Sequence, residues 1–115
     1  MSYSTKFIGQ IVKVSIDRPL GSNHPKYDLV YPINYGCIKG VMAPDGEELD
    51  AYILGISEPR DSFEGKCIAA VHRLDDDDDK LIVVPKDDEM EYTDEKIFES
   101  INFQEKYFKS IIIRK

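Results

Sequence analysis

Val12, Val14 and Ile16 fall on one face of an extended segment, Gln10 to Ile16, with Lys13 and Ser15 on the other. A period of two is the mark of a half-buried strand. Four more short segments rich in β-branched, aromatic or small apolar residues follow: Leu29 to Met42, Ala51 to Leu54, Lys66 to Leu74 and Leu81 to Val84. Pro32 and Gly36 break the first of these into pieces. Turn formers separate the segments, in DRPLGSNHPKYD (Asp17 to Asp28), in APDG (Ala43 to Gly46) and in the loop from Gly55 to Gly65. So small a sheet exposes its edges unless it closes, and closure predicts a small five-stranded barrel or curled sheet. One helical period appears late. Thr93 is a good N-cap, Asp94 and Glu95 suit the first turn, and Ile97, Ile101, Gln104 and Phe108 fall near one face. The spacing predicts a helix from Asp94 to about Lys109, with Ile111 to Ile113 as an edge strand. The fold class expected is mainly β with one C-terminal helix, α+β.

A chain of 115 residues is expected to form one domain, residues 1–115, around a single modest core. Its 42% hydrophobic and 32% charged content fits a globular chain and not a disordered one. No apolar run approaches the ~20 residues that cross a bilayer, so no membrane is expected. MSYSTKFIGQ lacks a basic stretch followed by an apolar one, and Cys37 and Cys67 have no CxxC spacing. Both features point to a reducing compartment, the cytoplasm. The net charge of −7 argues against a general nucleic-acid binder, which needs a basic face. It leaves room for a small phosphorylated ligand that arrives with divalent metal, because the metal reverses the local sign.

The acids are organised. DGEELD sets Asp45, Glu47 and Asp50 around a turn and the start of a strand, and Asp75 to Asp79 feed straight into Leu81 to Val84. Three carboxylates aimed at one point repel each other unless a cation sits between them. A solvated turn explains either stretch alone equally well. Tyr31 and Tyr35, four apart in YPINYG, suit core packing individually, and Lys26 and Lys80 are individually ordinary surface lysines. Together the set has what a metal–phosphate site needs: hard oxygen ligands for Mg²⁺, and ammonium and phenol groups for phosphate oxygens.

Three blocks in order, YPINYG, DGEELDA and Asp78-Asp79-Lys80 running to Pro85, carry a resemblance to the soluble family I inorganic pyrophosphatases. It runs from about Val12 to Pro85, with a weaker echo in the helix. The resemblance implies a five-stranded OB-type barrel with helical additions, hydrolysis of inorganic diphosphate, Mg²⁺ as cofactor and commonly a homo-oligomer. By it Asp45, Asp50 and Asp78 would hold Mg²⁺ and Asp75 a further ion, with Asp79 an alternative to Asp78. Lys26, Lys80, Tyr31 and Tyr35 would contact phosphate, and Tyr107 would close over it. Glu47 would take the proton of the attacking water, while Asp17 and Asp28 fall where the family carries glutamates near the metals.

The departures are specific. Glu47 stands where the family has an aspartate, and one extra methylene shifts a positioned base by over an ångström. Phe108 follows Tyr107 where the family has a phosphate-binding lysine, and Lys109 comes one place late. The stretch from Lys26 to Tyr31 is short, and the arginine expected within it has no counterpart. Two functions are therefore carried forward: a Mg²⁺-dependent diphosphate hydrolase with Glu47, Lys26 and Tyr35 as catalytic groups, and a catalytically silent phosphate- or nucleotide-binding regulatory domain on the same barrel.

Overall fold

The computed structural model describes residues 4–26, 28–43, 46–74, 78–87 and 91–114. Among the described residues a short 3-10 helix (Thr5–Phe7) precedes six strands and one α-helix, in the order β1 (Ile11–Arg18), β2 (Asn34–Met42), β3 (Glu48–Ile53), β4 (Ser62–Arg73), β5 (Asp79–Val84), α1 (Asp94–Glu105) and β6 (Ser110–Ile113). The sheet runs β1-β2-β3-β5-β4-β6, and β1 pairs with β4 as well, so five strands close on themselves and β6 hangs on the rim. All pairings are antiparallel except β3 with β5. This is the mainly β, closed five-stranded barrel with one helix that the short punctuated segments call for.

The alternation within strands builds two apolar layers. Val14, Leu49, Ala51, Ile53, Leu81 and Val83 fill the barrel. Tyr52, Val71, Ile82 and Val84 point the other way and are covered by Ile97 and Ile101 of α1. The run Leu81 to Val84 is continuously apolar because β5 is buried on both faces, as parallel-paired strands usually are. Thr93 caps α1 by accepting a hydrogen bond from the Lys96 N–H at 3.2 Å.

Several boundaries differ from the sequence expectation. β4 starts at Ser62, not Lys66, because Ser62 to Lys66 form the antiparallel ladder with β1 that closes the barrel. Gly65 is a point of close approach and not a turn: a Cβ there would stand 2.3 Å from the Val84 carbonyl oxygen. Asp50 lies inside β3 and not at its first residue. The helix ends at Glu105, so Tyr107 and Phe108 lie in the turn that returns the chain to β6. Glu105, and not Phe108, therefore completes the buried stripe begun by Ile97 and Ile101.

Candidate active site

Outward-facing positions of successive strands meet beside the C-terminal end of α1, whose Gln104 enters the cleft walls. Asp50 precedes Tyr52 by two on β3, Lys80 precedes Ile82 by two on β5, and Arg73 follows Val71 by two on β4, so each shares the face that packs under the helix. Asp50 and Lys80 are register neighbours across the parallel pair. Tyr35 stands on the adjoining β2, and a register shift between Ile16 and Arg18 brings Asp17 and Arg18 of β1 to the same place. Five strands, in spatial order β1-β2-β3-β5-β4, thus each deliver a polar or ionisable side chain to one cleft. Two adjoining cavities of about 430 and 440 Å³ occupy it, sharing His24, Tyr35 and Gln104 in their walls.

Cations gather in the cleft beside acids that pair with them. Arg18, Lys26, Arg73 and Lys80 line it, against Asp17 and Asp50, in a protein of net charge −7. The Lys80 ammonium lies 2.6 Å from Asp50 Oδ2 and 3.0 Å from Asp78 Oδ2, and its side chain is 4% exposed. Arg73 donates from Nε to Glu105 Oε1 at 3.1 Å and from Nη2 to Glu105 Oε2 at 2.6 Å, while Nη1 reaches Asp78 Oδ2 at 3.2 Å. Its guanidinium stands 3.7 Å from the centroid of the Phe108 ring. Burial opposes the charge of Arg73, yet the hydrogen bonds and charge of Glu105, helped by Tyr52 and Asp78, raise its pKa above the usual arginine value. It is a permanent cation.

Phenols form the other wall. Tyr31 donates to Gln104 Oε1 at 3.1 Å, Gln104 Nε2 donates to the Tyr52 oxygen at 2.8 Å, and Tyr52 donates to Glu105 Oε2 at 2.6 Å. Tyr31 and Tyr35 stack with centroids 5.6 Å apart. Burial first, and then the Asp50 charge, push the Tyr35 phenol well above its ordinary range, so it is neutral and able to donate near pH 7. The Asp17 carboxyl is raised, by burial foremost, with Arg18 opposing and Asp50 adding to the shift.

The residues singled out from sequence fare unevenly. Lys26, Tyr31, Tyr35, Asp50 and Lys80 come together, with Asp78 bonded to Lys80 and Tyr107 on the rim at 65% exposure. Lys80 is a buried lysine, not the surface one its position beside an acidic run suggests. Asp79 is drawn away: Ser4 Oγ donates to it at 2.5 Å and His72 Nδ1 lies 2.6 Å from it, which leaves Asp78 as the acid of this pair beside the cleft. Glu47 is exposed in the bend before β3, and Asp28 is exposed. Asp45 and Asp75 lie outside the described residues. Sequence reasoning missed Arg18, Arg73, Gln104 and Glu105. Arg73 continues the outward phase of Ala69 and Val71, and Glu105 continues the four-residue spacing of Ile97 and Ile101. Charged residues in apolar phase were the available signal.

The carboxylates suit a hard cation of one kind. Asp50 and Asp78 both reach a single ammonium, so their oxygens can be bridged by one positive centre. Among the described residues no group of three acids, histidines or cysteines stands placed to hold a metal ion. A hard divalent cation fits such a pair, because carboxylate oxygens are hard ligands and water or a phosphate oxygen can complete its shell.

Comparison with known proteins bears on this geometry. A family model described as inorganic pyrophosphatase matches residues 9–112. An inorganic pyrophosphatase of Saccharolobus solfataricus is 32% identical over 95 residues, an overlap of 65% of this chain and 55% of that protein. The chain thus spans about half the length of that curated relative. The crystal structure of an inorganic pyrophosphatase from Neisseria gonorrhoeae superposes with a TM-score of 0.62 at 26% identity, covering 83% of this chain and 72% of that one. An inorganic pyrophosphatase from Helicobacter pylori gives 0.70 at 18% identity, covering 100% and 89%, a likeness of fold.

Proposed function

We propose that this chain, which belongs to the inorganic pyrophosphatase family, is an inorganic diphosphatase that hydrolyses diphosphate to two phosphates with Mg²⁺. The family implies a divalent metal, and the Asp50–Asp78 pair is the part of the described site suited to it. The observation that carries the reading is the gathering of cations: Arg18, Lys26, Arg73 and Lys80 line one cleft of a protein with net charge −7. Diphosphate is small and highly anionic, and suits a site where ammonium and guanidinium groups stand beside carboxylates able to hold a metal.

When bound, Mg²⁺ would supply charge neutralisation of the phosphate oxygens and an acidified water. Asp50 and Asp78 would hold it, with Asp45 and Asp75 as further ligands. Lys26 and Lys80 would pair with phosphate oxygens and offset charge on the leaving group. Tyr31, Tyr35 and Tyr107 would bond the remaining oxygens, Tyr35 as a neutral donor. Glu47 would receive the proton as the water oxygen bonds to phosphorus and the bridging oxygen departs with the second phosphate. We further take the chain as one domain that works in the cytoplasm as a homo-oligomer; free buried Cys37 and Cys67 suit a reducing compartment.

A second reading has its own observation. Lys80 and Arg73 already neutralise Asp50 and Asp78, as they would in a silent binding domain that takes a phosphorylated ligand without turning it over. Phosphate release from diphosphate, measured with and without Mg²⁺, separates the two. The hydrolase reading predicts Mg²⁺-dependent release that Asp50→Asn abolishes. Release no faster than that of Asp50→Asn supports the silent domain and sinks the hydrolase.

A further inference from the structure

Arg73 is the least explained charge in the molecule. It is 6% exposed, lies at the C-terminal end of β4 and forms part of the cleft wall together with Lys80, Tyr35 and Tyr107. Glu105 grips one edge of the guanidinium in two hydrogen bonds, Asp78 accepts a third, and Phe108 lies against it at 3.7 Å. A guanidinium has five N–H donors. Among the described residues three are engaged, which leaves one on Nη1 and one on Nη2. Those two nitrogens form the end of the fork, the edge whose spacing matches two oxygens of a phosphoryl group.

We propose that Arg73 is a substrate-binding residue whose Nη1 and Nη2 donate to the oxygens of one phosphoryl group of diphosphate, with Glu105 and Phe108 as the positioning residues that hold its plane. The inference rests on the diphosphatase reading and adds to it a cation that no sequence block indicated. The two carboxylates do not satisfy the guanidinium; they orient it, and orientation fixed beforehand spares the entropy of ordering a long side chain at the moment of binding. Arg18, the other arginine of the cleft, is differently placed: it bonds the Asp17 carbonyl at 3.1 Å and the Tyr31 side chain. Phe108 gains a role as well, since a flat ring against the guanidinium face leaves only the edges available.

The test compares the wild-type chain with Arg73→Lys, which keeps the charge and loses the fork, and Arg73→Ala, with thermal melts to report folding. Arg73→Lys should raise the KM for diphosphate roughly tenfold to a hundredfold, as loss of a charge-assisted contact does, with a smaller change in kcat. Millimolar guanidinium ion should restore part of the activity of Arg73→Ala and do nothing for Asp50→Asn. Should the variants not fold, ¹⁵N spectra of the arginine side chains in the wild-type chain carry the test: added imidodiphosphate should shift the Arg73 signals more than those of Arg60 or Arg114. A KM within twofold of wild type in Arg73→Lys, or Arg73 signals indifferent to imidodiphosphate in a chain that still hydrolyses diphosphate, overturns the assignment and leaves the diphosphatase standing. Absence of hydrolysis and of imidodiphosphate binding by the wild-type chain overturns both.

Discussion

Lys80 shows at the scale of a single residue how the site is stabilised. Its ammonium reaches Asp50 and Asp78 at 2.6 and 3.0 Å in a position that is almost closed to water. Without it two carboxylates face each other, and breaking a buried pair leaves uncompensated charge. Lys80→Met should therefore lower stability by about 3 kcal/mol in metal-free buffer. Mg²⁺ should recover part of that loss, since the ion binds the folded site and not the unfolded chain. Urea denaturation of wild type and variant, with and without Mg²⁺, measures both effects. Asp17 gives a test with a defined pH sign. Its carboxyl is raised by burial, with Asp50 adding and Arg18 opposing, so it holds a proton more tightly folded than unfolded. Its contribution to stability is then fully present below the ordinary carboxylate value and is lost as pH rises through the raised one. Ionised Asp17 is a net cost at pH 7. Asp17→Asn should raise the Tm at pH 7, and the gain should shrink toward zero as pH falls to the carboxylate range.

Among the secondary-structure elements, the barrel depends on two strands approaching without side chains between them. A Cβ on Gly36 would stand 2.1 Å from the Ser15 carbonyl oxygen and 2.7 Å from Ile16 Cα. Gly36→Ala should force β1 and β2 apart where Tyr35 and Arg18 are aligned, at a cost of about 3 kcal/mol, near the upper end for overpacking. Chemical denaturation reads that loss, and a stability within 0.5 kcal/mol of wild type, the usual range for a neutral surface change, would contradict the close approach. The elements also show what the sequence made legible. β1 was visible because one of its faces is wet, and β5 because both of its faces are dry. The first half of β4 was not: Ser62, Glu64 and Lys66 alternate around a phenylalanine and a glycine, and Gly65 reads as a turn although it marks contact with β5. Asp50, Lys80, Tyr31 and Tyr35 were legible as types in blocks. Arg73 and Glu105 were not, because their pairing joins positions 32 apart that meet only after α1 folds back over the sheet. Asp78 and Asp79 are equivalent in sequence; strand alternation sends one beside the cleft and the other to Ser4 and His72.

For the whole molecule, a chain of net charge −7 carries a cleft in which every barrel strand places a charged or phenolic side chain, with Arg18, Lys26, Arg73 and Lys80 gathered there. Under the proposed function such a cleft would favour a small, highly charged anion over a long polyanion, which would meet the acidic exterior. The proposed diphosphatase must cleave the anion that its cleft binds. ³¹P NMR of diphosphate mixed with the protein and Mg²⁺ tests it in one tube. The diphosphate signal should be replaced by a single phosphate signal, at a rate that falls to background when Mg²⁺ is chelated or Asp50 is changed to Asn. A diphosphate signal that shifts or broadens on adding protein, yet keeps its area over hours, would contradict it.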